Sequence, residues 1–299
     1  MKCNLKDKNC TIENVESSEV KNKKEDFKCA PSKKFENGSC LSLNLLVEMA
    51  KAYNEEYDDK IELNSTIELL NPPKYKKYLV KVFSKRLDRV CDNQKCWIKQ
   101  KFINRLNNKI QEELQENTFR PDGPQDTTWL NTNNINDTLT QYETKYPDFK
   151  FLGSVPIDFD DLPIYGFKNL DFKELMEKGK NKLGVVFNLD EHYKTGSHWV
   201  GLFADLEKGQ VYFFDSYGIK PPERIVIFMR RIAKFIKNEL SIFPKVDYNK
   251  TRNQYKGSEC GVYSISFILR MLKDGDFETI TNNVIKDDKI NVCRQVYFT

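Results

Sequence analysis

The sequence predicts an α+β protein in which a small mixed sheet is flanked by helices and preceded by a helical domain. Three patterns predict this fold class. Apolar residues recur at helical spacing up to position 115 and again after position 221, whereas short alternating apolar runs fall between 183 and 214. The segment 261–272 is apolar nearly all round, which is typical of a buried helix.

Shifts in composition divide the chain into three parts. Residues 1–28 are rich in Lys, Glu, Asn and Ser and poor in apolar residues, which predicts a mobile N-terminal segment. Residues 29–118 are predicted to form a helical arm domain, and residues 119–299 a second domain that holds the sheet. The breaker Pro121-Asp122-Gly123-Pro124 lies close to that boundary and supports it.

Periodicity and punctuation predict the individual elements. The helices expected are 43–53, with Ser39 or Ser42 as its cap, and then 78–90, 97–114, 135–146, 221–240 and 261–272. The strands expected are 183–189, 199–204, 210–214 and 243–248. The second and third of these strands are separated by Glu207-Lys208-Gly209, which predicts a β-hairpin.

The charge balance and the N-terminus exclude several classes of protein. Forty-eight basic and 44 acidic residues leave a formal charge of +4, which does not require a nucleic acid partner. No apolar run follows the first lysines, and no stretch approaches the roughly 18 apolar residues that a membrane span needs. We therefore expect an intracellular protein without a membrane span, whose oligomeric state the sequence leaves open.

The chain has eight cysteines, which are expected to be thiols in a reducing compartment. They stand at positions Cys3, Cys10, Cys29, Cys40, Cys91, Cys96, Cys260 and Cys293. A zinc site built from the third to the sixth of them is conceivable, but the ten-residue spacing between Cys29 and Cys40 does not fit the usual pairing of zinc ligands. Buried structural thiols are favoured, and no metal is expected.

Histidine is scarce, which narrows any chemistry that depends on it to His192 and His198. His198 opens one strand of the predicted hairpin, and Asp215 follows the other strand. A turn centred near Lys208 places position 198 opposite about position 217, so Asp215 lies one pleat away. A carboxylate at that position can accept a hydrogen bond from the imidazole and fix its tautomer.

A candidate nucleophile stands at the start of the predicted buried helix. Cys260 would meet the positive end of the helix dipole, which favours the thiolate. Gly261 lets a substrate backbone approach closely, and the free N–H groups of the first turn can bind an oxyanion. Gln254, six residues upstream, could donate its side-chain amide to the same oxyanion.

Each of these residues also has a purely structural interpretation. A single Cys before a helix is usually a buried thiol, a His at a strand start is usually structural, and Asp215-Ser216-Tyr217-Gly218 is a good turn sequence in itself. The combination is what favours catalysis. His198, Asp215, Gln254 and Cys260, in that order and with an acidic residue before Cys-Gly, resemble the SUMO-protease and adenain superfamily of cysteine proteases.

A second motif supports the same resemblance. Thr128-Trp129-Leu130-Asn131 resembles the segment that opens the SUMO-protease domain. In that family this Trp and the Trp after the catalytic His form a narrow tunnel over the Gly-Gly of the substrate, and Trp129 and Trp199 match those positions. The alternative is that both tryptophans belong to the core. Thr132 stands where the family has Asp, so recognition of a ubiquitin-like protein does not follow.

Three further segments resemble, more closely still, the core-polyprotein proteases of large cytoplasmic DNA viruses, such as African swine fever virus. The segment from Cys29 to Cys40, Phe119-Arg120-Pro121 and the run 155–160 carry this resemblance. It implies a helical N-terminal domain and a thiol endopeptidase that processes viral structural or core polyproteins after Gly-Gly-x motifs during virion maturation. The locations that it implies are the host cytoplasm, at the assembly site, and the virion.

Three other functions stay open at this point. The chain could be an isopeptidase for ubiquitin-like proteins, an acetyltransferase that uses the same triad, or an inactive binding module that keeps the fold. An acetyltransferase of this superfamily would need a basic pocket, for which Arg230-Arg231 on a predicted helix face is a weak candidate. A polypeptide substrate is the partner expected. No cofactor is needed, and activation by nucleic acid is not expected, because the basic residues are interspersed with acids.

Overall fold

The computed structural model describes residues 28–273 and 275–299. These residues fall into two compact units, a helical unit of residues 28–121 with Thr299 and a sheet unit of the described residues between 122 and 298. The segment 1–28, which the composition predicts to be mobile, lies outside the described residues except for Lys28.

The helical unit is built around a cluster of aromatic rings. In chain order its helices are α1 (Leu43–Glu56), α2 (Ser65–Leu70), α3 (Pro72–Arg86), α4 (Gln94–Trp97) and α5 (Asn108–Asn117), with a 3₁₀ helix, Lys101–Arg105, before the last. Ser42 is the cap of α1, because its side chain accepts the N–H of Leu45. The ring centroids of Tyr53, Phe83 and Phe102 lie 5.5 to 6.2 Å apart, and all three rings are buried.

Two helix predictions in this unit are wrong in their bounds. The single helix expected over 97–114 is broken, because Asn107 accepts the N–H of Ile110 and so caps a new helix. The helix expected over 78–90 begins earlier, at Pro72, where Asn71 is the cap and proline occupies the first turn. Both corrections have one cause, since asparagine ends or begins helices through side-chain bonds that apolar periodicity does not register.

The prediction that the first four described cysteines are thiols is also wrong. Cys29 and Cys40 form one disulfide and Cys91 and Cys96 another, with Cα–Cα distances of 5.3 and 5.4 Å that suit such bonds. The zinc site conceived for these residues is therefore not formed by free thiolates. No group of three or more His, Cys, Asp or Glu side chains within residues 28–273 and 275–299 could hold a metal ion.

The sheet unit contains one five-stranded mixed sheet in the order β1-β2-β3-β4-β5. The strands are β1 (Phe149–Pro156), β2 (Lys182–Asn188), β3 (Trp199–Asp205), β4 (Gln210–Phe214) and β5 (Lys245–Tyr248). The outer pairs, β1 with β2 and β4 with β5, are parallel, and the two inner pairings are antiparallel. The predicted α+β class with a small mixed sheet is confirmed.

The sheet unit also contains helices, some of which pack on the strands while others form its C-terminal part. They are α6 (Thr132–Lys145), α7 (Phe172–Glu177), α8 (Glu223–Glu239), α9 (Cys260–Leu272), α10 (Phe277–Asn282), α11 (Asp287–Val292) and α12 (Arg294–Tyr297). Helix α6 packs on β1, α8 packs on β4 and β5, and α9 packs on β2 and β3. All but one of the residues of α9 are buried, as its all-apolar sequence predicts.

Strand β1 and the last three short helices were not expected from the sequence. The pairing of β1 with β2 is irregular between Phe151 and Ser154, where Gly153 adopts a φ of +106° and the strand bulges. A bulge of this kind interrupts the alternation of apolar residues on which a strand prediction depends. No helix in the described part of the chain is long and apolar enough to cross a membrane.

Candidate active site

His198 and Asp215 meet at the open end of the β3–β4 hairpin. The register pairs Gly201 with Phe214 and Asp205 with Gln210. Continued by three residues, it places His198 opposite Tyr217, as the sequence predicts. The His198 Nε2 atom lies 2.7 Å from the Asp215 Oδ1 atom, and both side chains are buried.

A buried asparagine that the sequence reading missed holds Asp215 in place. The Asn249 side chain accepts the Asp215 N–H at 2.8 Å and donates to the Asp215 carbonyl oxygen at 2.6 Å. The N–H of Tyr217 also donates to Asp215 Oδ1, at 2.9 Å. The carboxylate therefore has a fixed orientation toward the imidazole. Asn249 directly follows strand β5, and its place in a polar stretch gave no signal of this role.

Cys260 is the first residue of helix α9 and is buried. Its thiol interacts with the imidazole of His198 and helps to raise the pKa of that imidazole. Because Nε2 of that imidazole faces Asp215, Nδ1 is the ring nitrogen left for the thiol. The next residue must be small, since a Cβ on Gly261 would lie 3.0 Å from the Cβ of Leu130. The helix start thus brings the thiol, the imidazole and the segment that carries Trp129 together.

The imidazole of His198 is held as a cation by its partners. Burial by itself would lower its pKa, but the hydrogen bonds and charges of Asp215 and Cys260 outweigh burial and raise the pKa from 6.5 to about 9. The ring of Tyr217 stacks on the imidazole with centroids 4.5 Å apart and planes 11° apart. An imidazolium between a carboxylate and a thiol favours the thiolate, which is the nucleophilic form of cysteine.

Gln254 is fully buried, and its amide is oriented by its neighbours. Its Oε1 atom accepts the Ser216 hydroxyl at 2.6 Å, and its Nε2 atom donates to the Lys256 carbonyl oxygen at 2.8 Å. The second N–H of the Gln254 side-chain amide takes part in neither of these two bonds. The loop itself is fixed by Asp287, whose carboxylate accepts the N–H groups of Tyr255 and Lys256, each at 2.9 Å.

A buried hydrogen-bond network supports the turn before Cys260. The Glu259 carboxylate accepts the N–H of Ser258 and the side-chain amide of Asn291, each at 2.9 Å. The guanidinium of Arg294, which is fully buried, donates to the carbonyl oxygens of Ser258 and Thr128 at 3.2 and 2.8 Å. The C-terminal helices therefore tie the residues before Cys260 to the residues before Trp129. Sequence reading missed this role of Arg294.

Trp129 and Trp199 line a groove of about 330 Å³ in the sheet unit. The indole N–H of Trp199 donates to the Leu130 carbonyl oxygen at 2.9 Å, so this ring is buried and fixed, whereas Trp129 is 49% exposed. Asn188 and Gly196 lie in the same groove. The two predicted substrate-binding residues are thus brought together, one as a fixed wall and the other as an exposed wall.

The second histidine is separate from this arrangement. His192 Nδ1 lies 2.6 Å from Asp158 Oδ2, and half of the His192 side chain is exposed. His192 lines the groove, but it is not among the groups that raise the pKa of the His198 imidazole. Among the described residues, Cys260 and Cys293 are the two cysteines outside disulfides.

The chain is similar to known proteases along most of its length. The model of the Ulp1 protease family, C-terminal catalytic domain, matches residues 180–297. A putative thiol protease of Acanthamoeba polyphaga mimivirus is 39% identical over 272 residues, which cover 88% of this chain and 90% of the relative. A SUMO-1 cysteine protease of African swine fever virus is 26% identical over 75% of this chain and 89% of its own length.

The fold has a counterpart among solved structures. A crystal structure of an African swine fever virus protease superposes with a TM-score of 0.59 over 91% of this chain and 95% of that one, at 23% sequence identity. This likeness concerns the fold. The sequence relatives place the chain among the cysteine proteases. More narrowly, the chain belongs to the Ulp1 protease family.

Proposed function

We propose that this chain is a thiol endopeptidase in which Cys260 is the nucleophile, His198 the acid and base, and Asp215 the residue that orients the imidazole. The observation that carries the proposal is the position of His198, whose Nε2 atom hydrogen bonds with Asp215 and whose imidazole also interacts with the Cys260 thiol. Gln254 supplies an oxyanion donor. Membership of a cysteine protease family supports these roles.

The first half of the reaction forms a thioester. The Cys260 sulfur attacks the scissile carbonyl carbon, and the carbonyl oxygen becomes an oxyanion that accepts the N–H of Cys260 and the remaining amide N–H of Gln254. His198 then gives its Nδ1 proton to the leaving nitrogen as the C–N bond breaks. Asp215 keeps Nε2–H directed toward itself throughout, so that the transferable proton is always on the side of the sulfur.

The second half hydrolyses the thioester. A water molecule gives a proton to Nδ1 of His198 while its oxygen attacks the acyl carbon. The C–S bond breaks, the acid product leaves, and the thiolate–imidazolium pair is restored. Nothing in these steps requires an acetyl donor, and an acetyltransferase that used the same triad would differ by attacking acetyl-CoA.

The groove supports a preference for small residues before the cut. We propose that the backbone of a Gly-Gly segment lies between Trp129 and Trp199. The fixed ring of Trp199 cannot move aside, because its N–H is bonded to Leu130. A side chain forced between two such walls costs roughly 1–3 kcal/mol, which corresponds to a roughly 10- to 200-fold preference for glycine.

The test uses peptides that differ only in the residues before the cut. Mass spectrometry should show cleavage after Gly-Gly, weaker cleavage after Ala-Gly, and little after Leu-Gly. Trp129→Ala is the cleaner variant because that ring is half exposed, whereas loss of the buried Trp199 would also destabilise the unit. In Trp129→Ala the Leu-Gly peptide should gain relative to Gly-Gly. Equal cleavage of both peptides by the wild type would contradict the tunnel.

We propose viral structural or core polyproteins as the substrates, cleaved at Gly-Gly-x sites during virion maturation in the host cytoplasm or in the virion. The viral origin of both protease relatives supports this substrate class. Similarity to a SUMO-1 cysteine protease of African swine fever virus favours a second candidate, an isopeptidase for a ubiquitin-like protein. Incubation with a Gly-Gly-x polyprotein and with a ubiquitin-like conjugate, at equal concentration, separates the two.

A further inference from the structure

An exposed arginine contacts the tyrosine that stacks on the imidazole. The Tyr217 ring lies on His198, and the guanidinium carbon of Arg252 lies 5.1 Å from the Tyr217 ring centroid. The same guanidinium lies 4.7 Å from the ring of Tyr255, which is 70% exposed. Arg252 thus contacts two tyrosine rings, one of which covers the imidazole.

The positive charge of Arg252 forms no ion pair with a carboxylate in the described part of the chain. Its Nε atom donates to the Gln254 carbonyl oxygen at 2.7 Å, which fixes the plane of the guanidinium and leaves the Nη groups at the exposed end. Two basic residues near it in the sequence do form ion pairs, Lys250 with Asp247 and Lys256 with Asp288. Among the residues that the structure describes, Arg252 has no such ion pair. A fixed, unpaired guanidinium is preorganised for a carboxylate of another molecule.

This arginine is not part of the tryptophan groove. The groove is lined by Trp129 and Trp199 but not by Tyr217, Arg252 or Tyr255. If the acyl part of a substrate occupies the groove, the leaving part departs along the flank of His198 that Tyr217 covers. Arg252 stands there, joined through its Nε bond to Gln254, the candidate oxyanion donor.

We propose that Arg252, seated between Tyr217 and Tyr255, is a subsite for an acidic side chain among the first residues after the scissile bond. This inference rests on the proposed endopeptidase function and adds a preference on the leaving side of the cut. The planar guanidinium fork takes a carboxylate with two parallel hydrogen bonds, and the exposed ring of Tyr255 provides a surface for the methylene part of Glu.

A purely structural role for Arg252 predicts a different effect of its loss on peptide cleavage. If the arginine only supported Tyr217 and hence His198, its loss would slow the cleavage of every peptide by the same factor. If it binds substrate, its loss changes the ratio between acidic and neutral peptides. The discriminating quantity is therefore the ratio of kcat/KM values for peptide pairs that have Glu or Gln at one of the first four positions after Gly-Gly.

The experiment compares the wild type with Arg252→Gln and with the matched control Lys250→Gln, which removes a neighbouring positive charge that is already paired. In the wild type, Glu at one of these positions should raise kcat/KM roughly 3- to 20-fold over Gln, and the preference should weaken at high salt. Arg252→Gln should abolish the preference, whereas Lys250→Gln should keep it. Arg252→Glu should favour Lys at the same position.

The outcomes separate this inference from the proposed function. Two results overturn the subsite and leave the endopeptidase function standing, provided that the wild type cleaves the neutral peptides. One is a ratio of kcat/KM for Glu over Gln peptides near one in the wild type. The other is a higher ratio that persists in Arg252→Gln. Equal slowing of all peptides in Arg252→Gln, with no change in ratio, also overturns it. No cleavage of any Gly-Gly peptide by the wild type overturns both.

Discussion

His198 is the residue on which the proposed chemistry depends, because both Asp215 and Cys260 act on its imidazole. Asp215 holds one ring nitrogen and Cys260 the other. Together they raise the pKa of the imidazole to about 9, against the effect of burial. In the proposed mechanism the active form of the pair is the thiolate with the imidazolium, so activity should persist up to the pH at which the imidazolium loses its proton.

The first prediction concerns the alkaline limb of the pH profile. In the wild type, kcat/KM should fall as pH rises through about 9, since the imidazolium is lost there. Asp215→Asn removes the carboxylate that helps to raise the pKa, so its alkaline limb should move to lower pH, toward the ordinary value of 6.5. The loss of rate at the optimum should be smaller than in His198→Ala. An unchanged alkaline limb in Asp215→Asn would show that another group sets the pKa of His198.

The second prediction concerns the orientation of Gln254. Ser216→Ala removes the hydroxyl that donates to its buried Oε1 atom, so the amide loses its orientation and kcat should fall by about tenfold or more, with little change in KM. The unpaired oxygen should also cost about 1–3 kcal/mol of unfolding free energy. Ser266→Ala is the matched control, because the Ser266 hydroxyl is equally buried but has no partner among the described residues. Comparable kcat losses in the two variants would contradict the role of Ser216.

Sequence patterns indicated the four catalytic candidates but not the residues that hold them. His198 and Asp215 could be placed because hairpin register follows from strand lengths and a turn. Asn249 and Arg294 could not, because their partners are main-chain groups distant in sequence, and no local pattern records such bonds. Their roles became visible only with the three-dimensional contacts.

At the scale of elements, the loop between β2 and β3 shapes one side of the groove. Asn188 ends β2 and its Oδ1 atom accepts the N–H groups of Asp190 and Ser197, at 3.0 and 3.2 Å. Gly196 in this loop has a φ of +90°, and a Cβ there would lie 2.7 Å from Asn188 Nδ2. Any other residue at this position would strain the backbone and displace the Asn188 side chain.

The third prediction separates backbone strain from that contact. Gly196→Ala and Gly179→Ala both place a side chain at positive φ, and each should cost about 1–2 kcal/mol of unfolding free energy. Only Gly196→Ala also displaces Asn188, since nothing lies within 4 Å of a Cβ at Gly179. KM for a Gly-Gly peptide should rise several-fold in Gly196→Ala alone. Equal KM values in the two variants would show that the loop does not shape the substrate groove.

The elements that the sequence predicts well are those whose partners are close along the chain. The hairpin and helix α9 follow from alternation and from an all-apolar run. Strand β1 was missed because its partner β2 is parallel and about thirty residues away and because Gly153 interrupts its alternation. The predicted helix 97–114 failed at Asn107, where a side-chain cap outweighs apolar spacing.

At the scale of the whole molecule, the two disulfides both lie in the helical unit, whereas the described cysteines of the sheet unit, Cys260 and Cys293, are free. The proposed nucleophile, Cys260, is thus a free thiol in the same chain that contains two disulfides. The sequence alone could not show this, because the pairing depends on which cysteines the fold brings within bonding distance.

The fourth prediction is that the disulfides stabilise the helical unit unequally. Closing the longer loop, between Cys29 and Cys40, should contribute about 3 kcal/mol, and the shorter loop between Cys91 and Cys96 about 2 kcal/mol. Cys40→Ser should therefore increase hydrogen exchange in residues 28–121 more than Cys96→Ser does. Cys293→Ser is the control that leaves both disulfides intact. Equal exchange in the wild type with and without reductant would contradict the prediction.

The central claim is that Cys260 is the nucleophile, and the most direct measurement identifies the cysteine that attacks a substrate. A peptide that ends in Gly-Gly with an electrophile in place of the scissile carbonyl should form a covalent adduct, which mass spectrometry can map to one residue. We predict the adduct on Cys260 in the wild type and in Cys293→Ala, and none in Cys260→Ala or, at comparable times, in His198→Ala. An adduct on any other cysteine, or labelling and peptide cleavage that persist in Cys260→Ala, would contradict the account.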